Sequence, residues 1–202
     1  MSTLADMTVQ EFLDATASKT PTPGGGAVAS AVGALAAALA QMVVNYSIGK
    51  KNLAQHEPHL RGSIMRLTRA GELLLALADE DAEAYGLVNE LSRLPEGDAR
   101  RQRELPEAQR AAVQVPMSVI AACVDLLRHF VDLASITNRH LRSDLAIAAV
   151  LADAAARASR WNVLVNIPSL DEPARMDASR LMNRMLGESA RLADAVQNAC
   201  QA

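Results

Sequence analysis

Pro21-Thr22-Pro23-Gly24-Gly25-Gly26-Ala27-Val28-Ala29-Ser30-Ala31-Val32-Gly33-Ala34-Leu35-Ala36-Ala37-Ala38-Leu39-Ala40-Gln41-Met42-Val43-Val44-Asn45-Tyr46-Ser47-Ile48-Gly49-Lys50-Lys51 is the stretch whose reading decides the fold. Its two prolines keep the entry extended, and the glycines feed an apolar helix expected from about Ala27 to Tyr46. Gly49 reads as the C-terminal stop, with Lys50 and Lys51 just beyond. No charged residue occurs from Pro21 to Gly49, a run long enough to suggest a membrane span. The composition argues otherwise. The run is mostly Ala, Gly and Val, with Ser30, Gln41, Asn45 and Ser47 inside it, and it lacks Leu-rich bulk. A helix buried on all sides in a soluble bundle or dimer fits better.

Outward from this helix the chain continues in helical signals. Thr8-Val9-Gln10-Glu11 reads as a capping box opening a short helix with Phe12 and Leu13. Pro58 suits the first turn of a long helix to about Leu91, with a stripe of Leu60, Ile64, Leu67, Leu74, Leu77 and Ala78. Pro95-Glu96-Gly97-Asp98 is a turn, followed by a solvated charged helix through Arg110. Pro116 marks a break or kink before a helix from Met117 to Ile136. Further helices are expected from Ser143 to about Asn166, ended by Ile167-Pro168, and from Pro173 to Cys200. No segment alternates with period two, and no repeat or linker divides the chain. The expected fold is all-α: a single helical bundle over residues 1–202, forming an intimate homodimer.

Composition narrows the function classes. Hydrophobic residues make up 50% and aromatics 2%, so the core must be Ala, Leu and Val with Met as filler. A net charge of −3 offers no basic field for nucleic acid or an anionic membrane. Cys123 and Cys200 lie far apart with no CxxC motif, which fits reduced thiols in a cytoplasmic protein. The segment Met1 to Asp6 does not resemble a signal peptide. His56, His59, His129 and His140 form no metal-ligand set, so no metal is expected.

Several residues could carry chemistry. Gly24, Gly25 and Gly26 open a helix N-terminus, which suits a carboxylate, phosphate or oxyanion; close backbone packing would also explain them. Lys50 and Lys51 stand together in a chain with only three lysines against 17 arginines. A demand for a compact ammonium, or compensation of a helix C-terminus, would account for the pair. Asp81 falls on the apolar stripe, seven residues after Leu74, where a carboxylate needs a partner or a task; Asp79, Glu80 and Glu83 point elsewhere, to solvent. Asp144 precedes Ile147, Ala148 and Leu151 at helical spacing and also reads as inward; capping with Ser143 is the plainer role. Asn162 and Asn166 share a face near the far end of that helix, about 27 Å from Asp144 if it is unbroken. The two ends of the first apolar helix are likewise about 33 Å apart. Two-fold pairing of that helix is the simplest way to unite residues from opposite ends.

These same residues carry a resemblance. Pro21 to Gly26, Ile48-Gly49-Lys50-Lys51, Asp81-Ala82-Glu83-Ala84-Tyr85, Asn138 with Ser143-Asp144, and Asn162-Val163-Leu164-Val165-Asn166 together resemble the cyclodeaminase/cyclohydrolase family of tetrahydrofolate enzymes. The match is in order over roughly residues 5 to 170. Ala27 replaces the Ser common after the third glycine, and Leu145 replaces a small residue after Ser-Asp. The resemblance implies an all-helical, dimeric folate enzyme that hydrolyses 5,10-methenyltetrahydrofolate to 10-formyltetrahydrofolate in one-carbon metabolism, with no cofactor beyond its folate substrate. It implies catalytic roles for Asp144 first, then Asp81 and Lys50. Gly24, Gly25, Gly26, Lys51, Ser143, Asn162 and Asn166 would bind substrate. Formimidoyltetrahydrofolate cyclodeaminase, which releases ammonia, shares these residues; a non-catalytic folate-binding or dimerisation module is the alternative of another class.

Overall fold

The computed structural model describes residues 3–201. Among them there are six α-helices and no strand: α1 (Val9–Ala17), α2 (Gly25–Asn45), α3 (Glu57–Ser92), α4 (Ala99–Ala134), α5 (Arg142–Asn166) and α6 (Glu172–Gln201). Short 3-10 turns fill most of the connections.

Local chemistry sets the boundaries. Thr8 and Glu11 form the expected capping box on α1, each side chain bonding the other residue's backbone N–H. The glycines do not merely precede α2: Gly24 is its N-cap, and Gly25 and Gly26 already form its first turn. Gly49 ends the segment at φ 77°, a left-handed conformation that favours glycine. The Asp98 carboxylate caps α4 through the N–H groups of Arg100 and Arg101.

Consecutive long helices run antiparallel. α2, α3, α4 and α5 form a four-helix ring, and α6 packs across α4 and α5. The core contains Ala36, Ala37, Ala40, Ala148, Ala149, Ala152, Ala155 and Ala156 among its fully buried residues, with Leu67, Leu74, Leu127 and Phe130 as bulk. Small residues let the helix axes approach. Gly33 of α2 lies against Leu74 and Cys123, and a methyl group there would stand 3.2 Å from Leu74 Cδ1. By length and apolar composition both α2 and α4 would pass for membrane spans, yet about half of each such window is buried inside the bundle.

Two sequence expectations need correction. Pro116 does not break the chain: the charged stretch and the apolar helix are one continuous helix, α4, with Pro106 and Pro116 inside. A proline removes the bond to the carbonyl four residues earlier, here Ala112. That carbonyl accepts from Asn166 Nδ2 at 3.1 Å, so an outside donor replaces the missing amide. Asp79 is not simply solvated; its carboxylate accepts from the Leu4 N–H at 3.0 Å and ties the N-terminal turn to α3.

Candidate functional site

α3 and α4 each have 36 residues, against 21 in α2 and 25 in α5. The α3–α4 hairpin therefore projects beyond the start of α2 and the end of α5. Leu91, Ala84 and Ala108 seal it internally. At its base the glycines of α2 meet α3 and α5.

Asp81 lies directly on Gly26. A Cβ on Gly26 would fall 2.0 Å from Asp81 Oδ2 and 2.3 Å from its Cγ, so no other residue leaves room for this carboxylate. A Cβ on Gly25 would stand 3.5 Å from Asn162 Oδ1, an ordinary contact. Gly25, Gly26, Asp81 and Asn162 thus converge on the first turn of α2, where backbone N–H groups lack helical partners. Burial alone pushes the Asp81 carboxyl above its usual range, and no cation or hydrogen bond from the described residues offsets it. A half-buried carboxylate without a counter-ion is suited to hold a cation or to take a proton.

Asn166 sits one turn beyond Asn162 and is engaged structurally. Its Nδ2 donates to the carbonyls of Ala112 and Asn162, at 3.1 and 2.9 Å. Gly24, the N-cap, completes this end of the molecule.

The remaining candidates lie at the opposite end. Ser47 Oγ donates to the Val43 carbonyl and accepts from the Asn138 N–H at 2.8 Å, which docks the loop before α5 onto the end of α2. Lys50, Lys51 and Ser143 are exposed, and Asp144 is half-buried in the first turn of α5. The buried stripe of α5 runs through Leu145, Ala148, Ala149 and Ala152; Ile147 is 50% exposed, so Asp144 flanks that stripe rather than heading it. The rise of α2 alone separates the two clusters by roughly 30 Å. Within one chain the glycine cluster and the lysine cluster therefore do not meet. Serines 30 and 47 were visible in the sequence as rare hydroxyls in an apolar run, but the sequence could not show that Ser47 docks the distant Asn138 N–H.

A larger open groove of about 680 Å³ runs between α4 and α6, lined by Val113, Met117, Leu181 and Met185 among others. It includes neither Asp81 nor Asn162. Among the described residues no cluster of three or more His, Cys, Asp or Glu could hold a metal ion.

Comparison with known proteins bears on the family and the fold. A sequence profile described as formiminotransferase-cyclodeaminase matches residues 8–184. A methenyltetrahydrofolate cyclohydrolase of Methylorubrum extorquens is 36% identical over 83% of this chain and 82% of its own. The formimidoyltransferase-cyclodeaminase of Gallus gallus is 31% identical over 88% of this chain, which spans only 34% of that longer protein. The crystal structure of a formiminotetrahydrofolate cyclodeaminase from Thermotoga maritima superposes with a TM-score of 0.90 at 32% identity, covering 98% of this chain and 97% of that one. All-α architecture, glycine-opened helix and sequence together give one conclusion: the chain belongs to the formiminotransferase-cyclodeaminase family.

Proposed function

We propose that this protein is a cyclohydrolase that converts 5,10-methenyltetrahydrofolate to 10-formyltetrahydrofolate. The observation that carries the reading is the Asp81 carboxylate, held on Gly26 with no counter-ion among the described residues. Its natural complement is a cationic carbon, and the amidinium of the methenyl substrate supplies one. Likeness along most of both chains to a cyclohydrolase supports the same substrate.

In the proposed reaction Asp81 stabilises the amidinium and removes a proton from an attacking water. The water oxygen bonds to the bridging carbon and gives a neutral tetrahedral adduct. The carbon–N5 bond then breaks, N5 gains a proton, the hydroxyl loses one, and the carbon remains on N10 as formyl. One substrate cation and one water yield product and one proton. Asn162 and the free amides of Gly25 and Gly26 orient the reacting ring. The chemistry needs a base but neither redox cofactor nor metal.

The second half-site comes from a partner copy in this reading. α2 leaves a stripe of Val28, Leu35 and Tyr46 exposed, with Leu35 and Tyr46 each 61% accessible. Ile147, Val150, Trp161 and Val165 of the neighbouring α5 are exposed too. Apolar side chains exposed along two neighbouring helices call for cover. Two-fold, antiparallel pairing of α2 brings the glycine end of one subunit to the lysine end of the other. Lys50 and Lys51 then bind the folate carboxylates or protonate the leaving nitrogen, and Asp144 with Ser143 faces the substrate from across the interface. We place the dimer in the cytoplasm.

The test is the loss of near-ultraviolet absorbance of 5,10-methenyltetrahydrofolate, with and without the protein. Acceleration over the spontaneous rate is expected; its absence sinks the proposal. The Thermotoga likeness favours a second reading, cyclodeaminase, which ammonia release from 5-formimidoyltetrahydrofolate would reveal.

A further inference from the structure

Buried hydroxyls on the helices of this protein, or just past their ends, follow a rule. Ser47, Ser63, Thr137 and Ser159 each donate to the carbonyl four residues earlier, at 2.7 to 2.9 Å. Ser189 is the variant: its hydroxyl reaches across to a neighbouring helix and donates to Asp153 Oδ1 at 2.8 Å. Ser30 does neither. It is fully buried in α2, and its Oγ has no hydrogen-bond partner among the described residues. An unpaired buried hydroxyl is costly and calls for an explanation.

Register supplies one. Gly26 faces Asp81, Gly33 faces Leu74, and Ala37 faces Gly71. Residues 26, 30, 33 and 37 therefore share the α3-facing stripe of α2. Ser30 sits one turn below Gly26, a rise of about 6 Å. Helical Cα–Cβ bonds tilt toward the N-terminus, so its Cβ leans toward the turn that carries Gly26, on which Asp81 rests. Asp81, for its part, has no donor from the described residues. An orphan donor and an orphan acceptor thus occupy adjacent turns of one helix–helix seam.

We infer that Ser30 is a positioning residue for Asp81, and that a change of side-chain rotamer brings its hydroxyl to the carboxylate and fixes its orientation against the first turn of α2. The Ser189–Asp153 pair is the same arrangement already closed. Within one chain few competing charges face Asp81; the proposed pairing adds the second copy's Lys50, Lys51 and Asp144, which are the same in wild type and Ser30→Ala. α2 contributes none, and α5 contributes the neutral Asn162. By the register that pairs Glu90 with Arg100, the nearest cation of α4 is Arg110, which is engaged with Glu107. Asp79, Glu80 and Glu83 lie on α3 itself. The part Ser30 plays in turnover rests on the proposed folate reaction; the pairing itself does not.

The deciding measurement is a carbon-13 titration of the full chain labelled at aspartate carboxyls. The Asp81 signal is assigned by its loss in Asp81→Asn. A hydroxyl that donates to a carboxylate favours the ionised form, so Ser30→Ala should raise the Asp81 midpoint by about half to one pH unit. Ser30→Cys, with its weaker donor, should fall between. An unchanged or lowered midpoint in Ser30→Ala, with the helical melt intact, overturns the pairing. In the hydrolysis assay the acid limb of kcat/KM should move upward by the same amount. A limb that stays put while the midpoint moves overturns the positioning role. If wild-type protein fails to hydrolyse the folate, the proposed function falls, and the titration still decides the fate of Ser30.

Discussion

Asn166 donates its side-chain amide to the carbonyl of Ala112, the carbonyl that Pro116 leaves without a helical partner. The bond joins the end of α5 to the middle of α4 and lets a proline sit buried inside a continuous helix. Its consequence is energetic. Asn166→Leu should destabilise the fold by about 1–2 kcal/mol, because the carbonyl is left buried and unpaired. Adding Pro116→Ala restores the intrahelical amide, so the same Asn166→Leu change should then cost less. Urea denaturation of the four proteins in this cycle measures the coupling.

Gly25 and Gly26 are adjacent yet should respond differently. Alanine at Gly26 would place its methyl inside the Asp81 carboxylate, which must swing away; alanine at Gly25 meets only an ordinary contact with Asn162. Gly26→Ala should therefore fold, because the displaced group is a side-chain end and Ala is the better helix former. Its kcat/KM should fall by about 100-fold or more, as expected for a misplaced catalytic group. Gly25→Ala should stay within a few-fold of wild type. Thermal melts alongside the hydrolysis assay separate the two effects.

If the half-sites complete each other across a two-fold, subunits can complement. Asp81→Asn and Asp144→Asn should each be nearly inactive alone. Random re-assortment makes roughly half of the dimers mixed, and each mixed dimer carries one intact site, so activity should return to about one quarter of wild type. No recovery after verified exchange, with each variant inactive alone, would mean that both carboxylates serve a site within the same chain. Leu35→Arg should shift the sedimentation behaviour toward monomer and remove activity together.

His129 predicts an acid-sensitive fold. The ring is 4% exposed, stacks at 6.2 Å on His59, and neither nitrogen has a hydrogen-bond partner among the described residues. Burial, then the positive Arg66 and His59, push its pKa down from 6.5 to about 4, against a smaller opposing pull from Asp132. The unfolded chain thus binds a proton that the folded one refuses. Stability is full above the unfolded value near 6.5 and declines as pH falls toward 4, by up to roughly 3 kcal/mol. His129→Leu should flatten that part of the stability–pH curve and raise Tm at neutral pH. Equilibrium unfolding at several pH values from 4 to 7 tests it.

Much of this was legible in the chain. The capping box at Thr8, the stop at Gly49 and the stripe through Leu67, Leu74 and Leu77 are local signals, because each depends on neighbours within a turn. The inward reading of Asp81 followed from the same periodicity. Pro116 misled for a matching reason: its effect on a helix is local, but the Asn166 donor that compensates it lies 54 residues away. Asp144 was harder to orient because the exposed face of α5 is apolar as well, at Ile147, Val150, Trp161 and Val165, so the sequence pattern does not mark one stripe.

By itself, then, the sequence determined an all-helical chain, its glycine-opened core helix and the residue types available for folate chemistry, since backbone propensity and helical spacing are short-range properties. Only the tertiary structure decided that Asp81 rests on Gly26 while Lys50 and Asp144 lie a helix length away. The register between antiparallel helices is set by which small residues allow close approach, and that is a property of the packed seam rather than of either strip of sequence.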